Sequence, residues 1–97
     1  MTESNFILVV YDISDDRRRT KLHDALLDFG TPVQYSVFEC LLTTKQEQRM
    51  RSRVQKVIRP KKDRVRFYPL CANCVERVQV TSGKEVLTDH PTSVVVG

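Results

Sequence analysis

Asp12 closes the apolar run Phe6-Ile7-Leu8-Val9-Val10-Tyr11, so a carboxylate stands where a strand gives way to a loop. Magnesium is a hard cation that binds through one or two carboxylates, several waters and substrate phosphates. A lone carboxylate is a poor metal site. A twofold axis beside the strand end would bring Asp12 of two chains together, and the pair would hold one Mg2+ or another divalent cation. Such an ion activates water and stabilises charge on a phosphodiester in its transition state. On the residues alone the preferred reading is instead that Asp12 caps the following helix or hydrogen-bonds the turn. Tyr11 points to the opposite face by strand alternation and reads as a packing residue.

The basic residues come next. Arg17, Arg18, Arg19 and Lys21 open the first helix, where the macrodipole favours acids. Asp15 and Asp16 offset that locally, and guanidinium groups there suit phosphate through bidentate charged hydrogen bonds. The alternative is a solvated helix start with local Asp–Arg pairs. Between Lys45 and Arg66 lie ten basic residues against two acids, Glu47 and Asp63, a net +8 in a chain whose formal total is +4. The remainder is therefore acidic overall, and the asymmetry points to a polyanionic partner. Lys45, Arg49, Arg53 and Lys56 share one face of the second helix by the 3.6-residue period. With Lys61, Lys62, Arg64 and Arg66 they would track a nucleic-acid backbone without reading bases. Cys71-Ala72-Asn73-Cys74 has metal-ligand spacing but no second pair, and Cys40, His23 and His90 complete no zinc pattern. A plain turn is the favoured reading of that segment, ahead of zinc or redox chemistry.

These residues must be held by a small frame. Ninety-seven residues make one domain, 1–97, and dimerisation is a natural source of further burial at this size. No apolar run approaches the ~20 residues of a membrane span. The start Met1-Thr2-Glu3-Ser4-Asn5 lacks a basic signal-peptide region, and three cysteines argue against a disulfide framework. A cytoplasmic protein is expected. Phe6 to Tyr11 reads as a buried strand. Leu22, Ala25, Leu26 and Phe29 mark one face of a helix, closed by Gly30 and kept from resuming by Pro32. Val33 to Leu42 suits a long strand or a bent pair, with Ser36 and Phe38 on one face. Thr44-Lys45-Gln46-Glu47 is a candidate capping box for a helix carrying Met50, Val54, Val57 and Ile58 inward. Asp63 to Tyr68 alternates as a strand, and Val75, Val78 and Val80 suggest another. Residues 81–97 form a tail expected to pair with a sheet edge of a partner subunit. Read plainly the order is β-α-β-α-β-β; with the long second segment split it is compatible with an α+β fold, a ferredoxin-like βαββαβ sandwich in which two helices cover one face of an antiparallel sheet. The other face, with Phe38 and Tyr68 among its candidate side chains, would be covered by a second copy, giving a homodimer through the sheet.

The segments Tyr11-Asp12-Ile13-Ser14-Asp15-Asp16-Arg17-Arg18-Arg19, Val33-Gln34-Tyr35-Ser36-Val37-Phe38-Glu39-Cys40 and Asp63-Arg64-Val65-Arg66-Phe67-Tyr68-Pro69-Leu70-Cys71 together resemble the second CRISPR-associated (Cas) protein family. The resemblance runs over roughly residues 6 to 80. It implies a prokaryotic homodimer that takes part in CRISPR spacer acquisition, bridging two copies of a larger integrase dimer and holding double-stranded DNA across itself. It also implies a magnesium-dependent endonuclease of single-stranded RNA or double-stranded DNA, with Asp12 as the metal-binding catalytic residue. Ser36 would lie near the dimer cleft and assist phosphate or water positioning. The chain departs from many relatives at Thr31-Pro32, where they carry a basic residue, so no phosphate contact is carried over there. A non-catalytic scaffold for the integrase and a toxin-like ribonuclease of similar fold are the alternative readings.

Overall fold

The computed structural model describes residues 4–80; the expected partner-pairing tail, 81–97, and His90 lie outside the described residues. Strand β1 (Asn5–Asp12) is followed by helix α1 (Asp16–Leu26), strands β2 (Gly30–Gln34) and β3 (Val37–Leu42), helix α2 (Thr44–Val57), strand β4 (Arg64–Leu70) and the short helix α3 (Ala72–Glu76). The sheet order is β2-β3-β1-β4, and every neighbouring pair is antiparallel. This is the expected ferredoxin-like βαββαβ arrangement.

Strand alternation decides what each side chain meets. Ile7, Val9 and Tyr11 of β1 and Phe38, Cys40 and Leu42 of β3 form one buried cluster with Leu22 and Leu26 of α1 and Met50 and Val54 of α2. Both helices therefore lie on the same side of the sheet. Each large apolar side chain buried there contributes roughly 1.5–3 kcal/mol. Val65 and Phe67 extend the cluster from β4. The even-numbered residues of β1 and β4, including Leu8, Val10, Asp12, Arg64, Arg66 and Tyr68, face the other way, and Tyr68 is 41% exposed there.

Several sequence expectations change at this point. Of the two alternatives for Val33–Leu42 the bent pair is the one found, a hairpin with Tyr35 and Ser36 as its two-residue turn. Ser36 thus sits on a turn rather than on a strand face. Phe38 is fully buried beneath the helices, not on the open face, and His23 meets its ring edge-on at 5.2 Å. Helix α1 ends at Leu26 with Leu27 as its C-cap, so Gly30 is not the residue that closes it. Gly30 starts β2 opposite Cys40, where a Cβ would fall 2.5 Å from Cys40 Sγ. The residue is needed for close strand approach. Pro32 is tolerated because β2 is an edge strand. The α2 capping box is built by Thr43 and Gln46, one residue before the expected pair. The segment expected as a strand through Val75, Val78 and Val80 is α3 followed by irregular chain.

Candidate acidic site and nucleic-acid interface

Asp12 is the last residue of the central strand β1 and is exposed. The register pairs it with Arg64, and directly opposed residues of antiparallel strands share a face. Its carboxylate makes no hydrogen bond or ion pair among the described residues. The helix-capping reading of Asp12 is replaced, because Asp15 is the N-cap of α1. The Asp15 carboxylate accepts the Arg18 amide at 2.9 Å, which holds its pKa below the ordinary carboxylate range.

The β2–β3 turn reaches the same end of the sheet. The Tyr11 amide donates to the Ser36 carbonyl oxygen at 3.1 Å, so Ser36 and Asp12 are brought close along the chain path. Tyr11 turns the other way, as alternation requires: its ring is buried and its hydroxyl donates to the Tyr35 carbonyl oxygen at 3.4 Å. Burial raises the Tyr11 pKa, and Tyr35 adds to that. Tyr11 is therefore a packing residue.

The basic residues divide into two groups. Arg18 forms a bidentate pair with Asp63, Nε to Oδ2 at 2.7 Å and Nη2 to Oδ1 at 3.0 Å. The Asp63 side chain is fully enclosed, and it also accepts the Arg59 amide at 2.8 Å. The Arg18 guanidinium, and after it the Arg59 amide, hold the Asp63 pKa below the carboxylate range against the opposing effect of burial. Arg18 thus clamps α1 to the turn that leads into β4. Arg19 donates to the Ile13 carbonyl at 2.9 Å, pairs with Asp16 and lies 5.5 Å from the Tyr35 ring centroid. Arg53 pairs with Asp28 at 3.0 Å and covers the Phe29 ring, tying α2 to the end of α1. Arg17, Lys21, Lys45, Arg49, Lys56, Lys61 and Lys62 are exposed and have no side-chain partner among the described residues. Arg17, Lys61, Lys62 and Arg64 stand at the Asp12 end of the sheet, because the loop after β1 and the turn before β4 both lie there.

Sequence reasoning missed Asp63 and Tyr35. The signal for Asp63 was its isolation, one of two acids in a strongly basic segment. Tyr35 is 77% exposed and, with Tyr11, Arg19, Thr20, His23 and Gln34, lines a cleft of about 260 Å³ on the helix side. No simple pattern marked that cleft.

Among the described residues no group of three or more His, Cys, Asp or Glu could hold a metal. Asp12 stands exposed at the strand end, and a carboxylate so placed suits the way magnesium is held, through few carboxylates plus water and phosphate, rather than an all-protein cage. Among the described residues no helix is long and apolar enough to cross a membrane.

The model of the CRISPR associated protein Cas2 family matches residues 5–78. The chain belongs to that family. It is 42% identical over 89 residues to the CRISPR-associated endoribonuclease Cas2 3 of Synechocystis sp., covering 92% of this chain and 96% of the relative. The crystal structure of Streptococcus pyogenes Cas2 is similar at a TM-score of 0.70 and 32% identity, covering 79% of this chain and 99% of that one. A chain of a partial Cas6-RT-Cas1–Cas2 complex is similar at a TM-score of 0.69 and 25% identity, covering 79% and 90%. This Cas2-family chain thus shares both the sequence and the ferredoxin-like architecture of its relatives.

Proposed function

We propose that the chain acts in CRISPR spacer acquisition as a homodimer that binds nucleic acid, and that it is a magnesium-dependent endonuclease of single-stranded RNA or double-stranded DNA. The observation that carries the catalytic reading is Asp12, exposed and without a side-chain partner among the described residues at the end of the central strand. It is flanked by Arg64 and lies at the basic end of the sheet. The endoribonuclease name of the Synechocystis relative supports the nuclease reading. The neighbour solved with Cas1 supports a partner in the integrase complex.

Asp12 of both subunits would hold the cation, which supplies an activated water and charge stabilisation on the phosphodiester. This chain's own groups do the rest. Arg64, Arg17, Lys61 and Lys62 offset phosphate charge around the carboxylate and hold the backbone in place. The Ser36 carbonyl is engaged by Tyr11, which fixes the turn and leaves the hydroxyl to orient a water or a phosphate oxygen. Tyr11 and Phe38 keep the underside of the site dry and rigid.

A second reading has its own observation. Lys45, Arg49 and Lys56 line the outward face of α2, and Lys45, at the start of that helix, lies at the opposite end of the fold from Asp12. A duplex tracked by this face needs no catalysis, and the protein would then be a scaffold for the integrase.

Cleavage of labelled single-stranded RNA and double-stranded DNA by wild type and Asp12→Ala, with magnesium or with chelator, separates the two. Cleavage that requires both the cation and Asp12 establishes the nuclease and names its substrate. Salt-sensitive duplex binding by both proteins without cleavage establishes the scaffold.

A further inference from the structure

The Cys71-x-x-Cys74 pair is absorbed neither by the acidic site nor by the basic surface. Cys71 is the N-cap of α3 and Cys74 stands in its first turn. An N-cap side chain and the third residue of the helix face each other, the arrangement used by capping boxes. Here it sets the two sulfurs 3.4 Å apart. Both residues are exposed and both thiols are free. Cys40, the third cysteine, is fully buried, and burial pushes its thiol up to about 12.

We propose that Cys71 and Cys74 are a redox-active dithiol that closes to an intramolecular disulfide by exchange with a low-molecular-weight disulfide such as oxidised glutathione. The Cys71 thiolate attacks one sulfur of the small disulfide, forming a mixed disulfide and expelling one thiolate. Cys74, deprotonated, then attacks Cys71 Sγ and expels the second thiolate. The protein loses two electrons and two protons, and one disulfide molecule becomes two thiols.

Three observations support this assignment. The sulfurs stand 3.4 Å apart and already in contact, so the two thiols are placed to pair with each other. The two thiols differ in readiness: the Cys74 amide, and next the Cys74 thiol, favour the Cys71 thiolate and lower its pKa, whereas sharing that proton raises Cys74. Cys71 is thus the attacking sulfur and Cys74 the resolving one. The strand-to-helix junction also gives incoming disulfide an open approach, since both cysteines are exposed among the described residues.

The full chain, reduced and then equilibrated across a series of reduced-to-oxidised glutathione ratios, tests this directly. Both cysteines fall in the tryptic peptide 67–77, so intramolecular closure leaves that peptide unalkylated and two hydrogens lighter than its free dithiol, whereas the open form carries two alkyl groups. The expected result is one reversible transition confined to this peptide, with Cys40 unreacted in the folded protein. Cys74→Ser should accumulate a single glutathione on Cys71 and lose the closed form. Cys71→Ser should lose the closed form and react at least ~10-fold more slowly. Persistence of both thiols across the series, separate glutathione adducts on wild type, or a disulfide linking two chains would each overturn the proposal.

Discussion

Asp12 and Asp63 stand at the same basic end of the sheet and are used in opposite ways. Asp63 is enclosed, with Arg18 on one side and the Arg59 amide on the other. Asp12 is open and without a partner among the described residues. Removing one member of an enclosed pair leaves the other charge stranded, which is the costly case. Asp63→Asn is therefore expected to lower Tm by roughly 10 °C in a domain of this size. Asp12→Asn, a surface change, should move stability by less than about 0.5 kcal/mol, and thermal melts of the two variants check both. The pair also fixes a direction with pH. The folded Asp63 pKa is depressed, so its stabilisation is complete above the ordinary carboxylate pKa of about 3.9 and fades as pH falls through the lower folded value. Melts from neutral to acid should show the gap between wild type and Asp63→Asn narrowing only below about pH 4.

At the level of elements, the helices were legible and the turns were not. Leu22 and Leu26 on α1, and Met50 and Val54 on α2, recur at helical spacing and do face the core. The hairpin at Tyr35–Ser36 lacks the Asn-Gly or Gly-X pair that usually marks a two-residue turn, so the alternation left a long strand and a bent pair both open and did not place the turn. In β3, large side chains alternate on both faces, and alternation alone does not say which face meets the helices; Phe38 was therefore assigned outward. Asp12 was legible because a single carboxylate ended an apolar strand. The Arg18–Asp63 clamp was not, since its members are 45 residues apart. Helix α2 carries two further tests. Thr43 accepts the Gln46 amide and the Gln46 side chain accepts the Thr43 amide, so Thr43→Ala should cost about 1 kcal/mol in chemical denaturation. Thr44→Ala, inside the helix, should cost a small fraction of that. Charge reversal at Lys45, Arg49 and Lys56 should leave the fold intact and weaken duplex binding. The slope of log affinity against log salt should fall by about 0.9 for each phosphate that the helix no longer neutralises.

At the scale of the whole fold, the layering leaves one side of the sheet uncovered among the described residues. The helices cover Ile7, Val9 and Phe38, while Leu8, Val10, Val37 and Leu41 are only partly buried on the other side and Tyr68 is exposed beside them. An antiparallel sheet tolerates one wet face when that face is polar. This one mixes aliphatic centres with Arg64 and Arg66 at its margin, the pattern of an apolar patch rimmed by charge that marks an interaction surface. In the proposed homodimer a second copy on this face would bury the aliphatic residues of both chains and set the partner beside the strand end that carries Asp12, so that assembly and the proposed catalysis would be linked. Val10→Lys, at the centre of the open face, should shift the protein from dimer to monomer in analytical ultracentrifugation while leaving the helix-covered core folded by circular dichroism. If two Asp12 carboxylates share one cation, that monomer should lose magnesium-dependent cleavage as completely as Asp12→Asn does. Dimers mixed from wild-type and Asp12→Asn chains should then fall well below half of wild-type activity. Half-activity in the mixed dimers, or full cleavage by the monomer, would assign a complete cation site to each chain and separate dimerisation from the chemistry.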